Sequence, residues 1–247
     1  MYRASVSSLL HCLSGAIVLL LPPLLVGCGG GDLYSVNEGQ VAQRFLPPER
    51  TVHHPDSLQD LTVTEGDDKL KYQLERDYQS LIRKWSSSYR RLGAGRSVQQ
   101  SQTYATFWSL ELALASLQPE MGIVSLRKKK ARKLLERRRE SYDKTIRIDV
   151  YWFTGRGANG IIAGPSASTV LRVGDHTLRP TRTDHGPLRE AYVSGGETAL
   201  YRRNTLHFPR TVEGTDILTD SENVELTVRR SGLSSRERFS WTWEDEE

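Results

Sequence analysis

The residues with the clearest chemical potential form a basic run between positions 127 and 139. The run contains nine cations and a single acid, Glu136. Like charges one helical turn apart repel each other by about a few tenths of a kcal/mol per pair, so a negative partner is expected: anionic lipid headgroups, a polyanion, an acidic protein, or the chain's own tail, Glu244–Glu247. A solvated helix face is the alternative that needs no partner. The predicted anion- or partner-binding residues are Arg127, Lys128, Lys129, Lys130, Arg132, Lys133, Arg137, Arg138 and Arg139.

Nucleic acid is not expected as the partner of this run. Single-stranded nucleic acids bind where aromatic side chains stand among the cations and stack on the bases, and Tyr142 is the only aromatic residue near the run. The whole chain has 34 basic and 30 acidic residues, so its net charge of +4 is close to balance. Such a charge gives no general affinity for polyanions.

Histidine and aspartate residues suggest a second chemistry, nucleophilic hydrolysis. Asp175-His176 and Asp184-His185 could be fragments of a catalytic triad. Both pairs stand at turn signals, where aspartate favours the turn itself, and neither a G-x-S-x-G elbow nor an H-E-x-x-H helix accompanies them. The sequence therefore predicts no enzyme and no catalytic residues. The alternative, an envelope hydrolase or carbohydrate-active enzyme, needs a fold that joins His176, His185 or His207 to a serine or a carboxylate.

Two further motifs resemble ligand sites but are interpreted as loops. Gly155–Gly160 matches G-x-G-x-x-G after a predicted strand. Dinucleotide binding needs a helix next, and the following Ile161–Pro165 cannot form one. His53-His54 lies in a segment that offers no converging partners, which a metal ion requires. No cofactor and no metal are therefore predicted.

The chain has two cysteines, Cys12 and Cys28. Cys28 ends the stretch Leu25-Val26-Gly27-Cys28, which follows a short apolar run broken by Pro22-Pro23. A membrane-spanning helix needs roughly 20 apolar residues. A charged start at Arg3, a short apolar core and small residues at a cut site are instead typical of a secretory signal. The stretch resembles the lipobox of bacterial lipoprotein signal peptides.

The resemblance implies that residues 1–27 are removed and that Cys28 becomes the lipid-modified N-terminus. Lipoproteins of this kind usually carry several acyl chains, and stable anchoring takes more than one. In the sorting rule for bacteria with two membranes, aspartate after the cysteine retains a lipoprotein at the inner membrane. Gly29 occupies that position, so the resemblance favours an exported, lipid-anchored protein at the outer membrane, facing the periplasm.

Residues 28–66 are predicted to form a flexible tether and residues 67–143 a helical region. The tether contains Pro47-Pro48 and has no sustained period of 2 or 3.6. The second of three predicted helices covers about Thr103 to Leu117 and the third covers Pro119 to Tyr142, joined by short loops. The first and clearest helix has one apolar stripe, made of Leu70, Leu74, Tyr78, Leu81, Trp85, Tyr89 and Leu92.

From residue 144 the hydrophobic period changes to 2. Residues Ile146 to Trp152 alternate between apolar and more polar positions, Gly174-Asp175 marks a hairpin, and the aromatic residues of Phe239 to Trp243 share one face. Six or seven short strands separated by Gly, Pro, Asp and Asn predict an antiparallel Ig-like β-sandwich over residues 144–247. The predicted fold class is α+β, with helices and strands in separate regions.

Together these features predict a membrane-tethered envelope lipoprotein that acts as a non-catalytic scaffold or interaction module. Its expected partners are the membrane, through the lipid on Cys28, and an envelope protein, whereas no oligomeric state is predicted. The basic run would supply a face for anionic lipid or an acidic partner. The hydrolase is one alternative. A lipid- or small-ligand-binding module, with an open apolar cavity between helices and sheet, is the other.

Overall fold

The computed structural model describes residues 52–65, 67, 70–88, 90–91, 103–117, 128–155, 168–192, 198–229 and 236–243. The predicted signal peptide, Cys28 with most of the predicted tether, Arg127 and the acidic tail lie outside these residues. None of the helices in the described ranges combines the length and the apolar character that crossing a membrane requires.

An antiparallel hairpin stands where the sequence predicts the end of the tether and the start of a helix. Strand β1 (Leu61–Glu65) pairs with strand β2 (Leu70–Leu74). The spacing of four between Leu70 and Leu74 is also an even spacing, so it places both side chains on one face of a strand equally well. Because Val63 and Leu74 pack against the core, the hairpin replaces the start of the predicted helix, and the chain joins the folded body before residue 66.

The first sheet has five antiparallel strands and includes residues on both sides of the predicted boundary at 143 and 144. Residues 103–107, predicted as helix, form a strand whose five side chains are all buried. Burial on both faces removes the periodicity that separates strand from helix, and pairing with residues 148–152 decides the outcome. The strand order is β3 (Ser86–Ser88), β5 (Thr103–Phe107), β6 (Thr145–Gly155), β10 (Thr198–Pro209) and β9 (Arg182–Tyr192).

The second sheet also has five antiparallel strands. The predicted hairpin at Gly174-Asp175 is confirmed: Val173 pairs with His176, and Gly174 has a φ of 52°, where a residue without a Cβ is favoured. The predicted alternation of the last strand is confirmed too, since Phe239 and Trp241 are buried. The strand order is β4 (Arg90–Arg91), β14 (Arg236–Thr242), β13 (Asn223–Arg229), β7 (Val170–Val173) and β8 (His176–Leu178). A separate small hairpin joins β11 (Thr211–Val212) to β12 (Thr215–Asp216).

Inward-facing side chains of the two large sheets meet in one hydrophobic core. The ring centroids of Phe107 and Trp241 lie 5.8 Å apart. Trp152 of the first sheet donates its indole N–H to Oε2 of Glu237 in the second, at 2.7 Å. Apolar burial drives the packing of the sheets. The hydrogen bond satisfies the indole N–H, which packing would otherwise leave buried without a partner. The antiparallel, β-rich architecture expected after residue 144 is therefore present.

Within the described ranges, three helices accompany the sheets. Helix α1 (Tyr78–Lys84) starts where Asp77 Oδ1 accepts the backbone N–H of Ser80, and helix α2 (Leu110–Ala115) starts where Ser109 accepts the N–H of Leu112. Helix α3 (Lys128–Lys144) coincides with the described part of the third predicted helix. The first two predicted helices are wrong in length: each shrinks to a short helix, because the strands beside it take up the remaining residues.

Candidate functional site

Helix α3 presents cations to solvent along one side. Lys129, Lys130, Lys133 and Arg137 are exposed, and at 100° per residue they fall within about a third of the helix circumference. We call these four residues the basic surface. Towards the C-terminal end of the helix the same side carries Glu140, which accepts a hydrogen bond from Lys144 Nζ at 2.7 Å. The exposed Glu136 lies on this side as well, so the excess of positive charge is greatest in the first two turns of the described helix.

The opposite side of α3 packs on the protein. Its buried residues are Ala131, Arg138 and Tyr142, which recur at intervals of 7 and 4 and so form one stripe. Arg138 Nη1 donates to the carbonyl oxygen of Ala113 at 2.8 Å and also bonds Ser116 Oγ. Arg138 therefore holds the C-terminal end of α2, where basic side chains satisfy unpaired carbonyls.

The burial of Arg138 corrects the predicted anion-binding set. A guanidinium that is 1% exposed and bonded to a helix end is a support for α3, and its place in the sequence run does not predict its direction. Arg132 and Arg139 are exposed beside the basic surface, and Lys128 is half-buried. Cys28 and Arg127 lie outside the described residues.

Residues 52–60, which we call the strap, are bound to the body of the protein. Val52 is buried in the core. His54 Nδ1 accepts the backbone N–H of Asp56 at 3.3 Å, so Nε2 carries the proton and donates to the carbonyl of Leu218 at 2.9 Å. The His54 ring also meets Trp243 edge-on, at 5.7 Å between centroids. His54 therefore lies in a loop, as the sequence predicts, but distant residues supply partners that hold this loop against the body.

Arg210 fastens the strap beside the end of α3. Its Nη2 lies 2.6 Å from Asp56 Oδ2 and 2.7 Å from Asp216 Oδ2, and its guanidinium stacks 4.7 Å over the ring of Tyr142. Tyr142 in turn donates to Asp56 Oδ1 at 2.6 Å. Burial would raise the pKa of Asp56, but the bonds from Arg210 and Tyr142 hold it below its ordinary value. The strap is thus bound to the body next to the C-terminal end of α3.

A second buried cluster fixes the other end of the strap. Lys84 Nζ lies 2.8 Å from Asp60 Oδ2 and 3.8 Å from Glu111 Oε2, and Glu111 Oε1 accepts the backbone N–H of Asp60 at 3.1 Å. Arg76 adds a bond to Asp60 at 3.1 Å. Burial raises the pKa of Glu111 to about 7, with Lys84 only partly opposing the shift. The cluster joins the strap, α1 and α2, and all three of its central side chains are shielded from solvent.

Asp149 is the centre of a third network, on the side of the first sheet that faces away from the core. It is fully buried and accepts bonds from Trp108 Nε1 at 2.7 Å, Thr205 Oγ1 at 2.7 Å and Arg203 Nη2 at 2.6 Å. Burial would raise the pKa of Asp149, but the cations of Arg147 and Arg203 outweigh it and lower the pKa to about 2. A carboxylate that is this fully bonded is held ionised and in place.

The fold joins His207 to a carboxylate that the sequence pairs with another residue. His207 Nε2 lies 2.9 Å from Asp184 Oδ2 and 2.9 Å from Arg182 Nη2, whereas His185 Nδ1 bonds Asn204 Oδ1. Burial and the nearby Arg182 lower the pKa of His207. The adjacent strands β9 and β10 create this pairing, so no local sequence motif predicts the contact between His207 and Asp184. Within the described residues, Asp184 and Arg182 are the side chains that bond the His207 ring.

Four aromatic residues stack on the outward side of the same sheet. Tyr104 and Tyr151 are parallel, with centroids 4.6 Å apart, and Phe153 lies 5.6 Å from Tyr201. All four rings are buried. They therefore act as packed structure in this part of the chain, where offset stacking adds to the burial of apolar area.

Comparison of the chain with protein-family models, with curated proteins and with solved structures found no match. Among the described residues, no group of three His, Cys, Asp or Glu side chains converges as a metal site. The candidate site is therefore defined by its own geometry: the basic surface of α3, supported from below by Arg138 and at one end by the strap.

Proposed function

We propose that this protein is a lipid-anchored lipoprotein of the bacterial envelope that works as a non-catalytic interaction module. An Ig-like β-sandwich would be its rigid body, and the basic surface of α3 its binding face for an anionic partner. The observation that carries the proposal is the position of Lys129, Lys130, Lys133 and Arg137 on the exposed side of a helix whose opposite side is buried through Ala131, Arg138 and Tyr142. Charges held on a rigid element bind without first losing the freedom of a loop.

The state of three buried or half-buried aspartates supports binding over catalysis. Asp149, Asp60 and Asp56 each contact at least one arginine or lysine within 3.1 Å, and each has a lowered pKa despite burial. Catalytic acids and bases generally need a pKa near the working pH and room for a substrate. Carboxylates that are held ionised by structural cations serve to fix the fold instead.

The anchor is tested by intact mass and membrane fractionation of the native protein beside a Cys28→Ala variant. We expect a native mass that begins at Cys28 and includes acyl chains, in the membrane fraction, and a variant that is either released or left uncleaved. An unmodified chain that begins at Met1 and fractionates with the cytoplasm would overturn the proposal and return nucleic acid as a partner for the basic run.

A second candidate function, an envelope hydrolase, is favoured by the contact between His207 and Asp184. If Nε2 donates its N–H to Asp184, Nδ1 is the basic nitrogen. Arg182 Nη2, which can only donate, lies 2.9 Å from the same Nε2 and competes with that arrangement. A purified His207→Ala variant tests it against native protein on a panel of esters and glycosides. Turnover by the native protein that the variant lacks would establish the hydrolase, and equal rates at the level of buffer would exclude His207 as the base. The Asp184 side chain is 53% exposed, so water has access to the carboxylate of this dyad.

A further inference from the structure

We propose that the basic surface lies directly on the anionic leaflet to which the chain is anchored, and that its charges set this orientation. The inference rests on the proposed function, because it takes Cys28 as the point of attachment. It adds the identity of the partner, phospholipid headgroups with negative charge, and it assigns the side of the body that faces the membrane.

The first support is the position of the strap relative to α3. Asp56 and Pro55 contact Tyr142 in the last turns of the helix, and Val52, three residues earlier, is buried in the same core. The first described residues of the strap therefore lie within a few residues of a contact with one end of α3. A helix rises 1.5 Å per residue, so Lys129 lies about 20 Å along the axis from Tyr142.

The second support is reach. Cys28 and Val52 are 24 residues apart in the sequence, and a chain of that length spans at most about 80 Å. A lipid on Cys28 and the basic surface can thus contact the same leaflet without strain in the body. Once one contact holds the protein at the membrane, the second becomes intramolecular and needs little intrinsic affinity.

The third support is the chemistry of the surface itself. Three of its four residues are lysines, which are hydrated point charges on flexible stems and do not require a partner of fixed geometry. Protein interfaces are centred on buried aromatic or apolar anchors, and the basic surface consists of charged side chains alone. Each cation near an anionic bilayer strengthens binding by roughly fivefold. A layer of headgroups fits this surface better than an acidic protein does.

Lysine accessibility in vesicles tests the orientation with the native, full-length protein. The protein is reconstituted in vesicles of phosphatidylcholine, with or without phosphatidylglycerol, and treated with a water-soluble amine reagent that is read by mass spectrometry. We expect Lys129, Lys130 and Lys133 to be modified several-fold more slowly in the anionic vesicles. The internal control is Lys71, which is exposed on β2 and is not part of the basic surface, and its rate should not change.

A charge-matched pair of variants separates the surface from net charge. Lys129→Glu, Lys130→Glu and Lys133→Glu together should abolish the salt-sensitive part of vesicle binding. The control changes Lys71, Arg179 and Arg236 to glutamate, which are also exposed, and should bind like native protein. Equal loss in both variants would overturn the proposal, because general attraction would then explain binding.

Two further outcomes are decisive. Equal modification of the three lysines in neutral and anionic vesicles would overturn the membrane assignment. Protection that soluble polyglutamate reproduces on neutral vesicles would also overturn it, in favour of an acidic protein. Failure of the anchor is distinct from both: the native protein would not float with phosphatidylcholine vesicles, whereas the lysines would still be protected in anionic ones.

Discussion

Oδ2 of Asp60 lies 2.8 Å from Nζ of Lys84, and both side chains are buried. The contact joins the strap to the last residue of α1, and Glu111 of α2 stands 3.8 Å away on the other side of the ammonium. Charges that are taken out of water remain favourable only while each has a partner. The attachment of this end of the strap therefore depends on the ammonium group of Lys84.

Replacement of Lys84 by methionine should destabilise the protein by about 3 kcal/mol, because Asp60 and Glu111 would lose the ammonium that compensates their burial. Urea unfolding followed by circular dichroism measures the change. The exposed Lys71→Met on β2 is the matched control and should stay within about 0.5 kcal/mol of native protein. Equal midpoints for the two variants would show that the cluster does not hold the strap.

Glu111→Gln should flatten the stability profile between about pH 5 and 8. The pKa of Glu111 is raised from 4.5 to about 7, so the folded state holds its proton more tightly than the unfolded state, and native stability falls as pH rises through that window. A neutral amide removes this loss, so the variant should gain up to roughly 3 kcal/mol over native protein at pH 8 relative to pH 5. Urea titrations at both values measure it. A parallel offset at the two pH values would contradict a raised pKa in the fold.

Asp149→Asn should act in the opposite sense and at lower pH. The pKa of Asp149 is lowered from 3.8 to about 2, so its contribution is present above pH 3.8 and is lost as pH falls towards 2. The variant should be about 3 kcal/mol less stable at pH 7, since Arg147 and Arg203 would lose their counter-charge. Asp175→Asn, in an exposed turn, is the control. A variant as stable as native protein at pH 7 and as acid-sensitive would show that Arg203 needs no counter-charge there.

The elements with one buried face could be predicted from the sequence. The alternation of Ile146 to Trp152 predicts β6, and Gly174-Asp175 predicts the turn between β7 and β8, because both signals are local. The stripe from Leu70 to Leu92 fails for a physical reason. Steps of 4 fit a helix and an even-numbered strand alike, and the pairing of β2 with β1 decides between them.

The support of the candidate site could not be predicted in the same way. Arg210 is 154 residues from Asp56, and Lys84 is 27 residues from Glu111. Contacts between residues so far apart in the chain produce no local pattern in the sequence. The basic run does predict a charged helix, but only the packing of α3 on α2 shows that Arg138 points inward. The direction in which each side chain of α3 points is set by tertiary contacts, whereas the net charge of the helix is set by its composition.

Two neighbouring arginines of α3, Arg137 and Arg138, distinguish residues that bind a partner from residues that stabilise the fold. Arg138→Ala should cost about 2–3 kcal/mol, since it removes buried, charge-assisted bonds to the Ala113 carbonyl and to Ser116 Oγ, although Ser116 still donates to that carbonyl. Arg137→Ala should change stability by less than about 0.5 kcal/mol, because the side chain is exposed.

Binding to vesicles that contain phosphatidylglycerol should show the reverse order. Arg137→Ala should weaken it roughly fivefold, and Arg138→Ala, measured where it remains folded, should leave it unchanged. Urea unfolding and vesicle flotation of both variants make the comparison, and the same order in the two measurements would mean that α3 does not divide its faces as the structure shows.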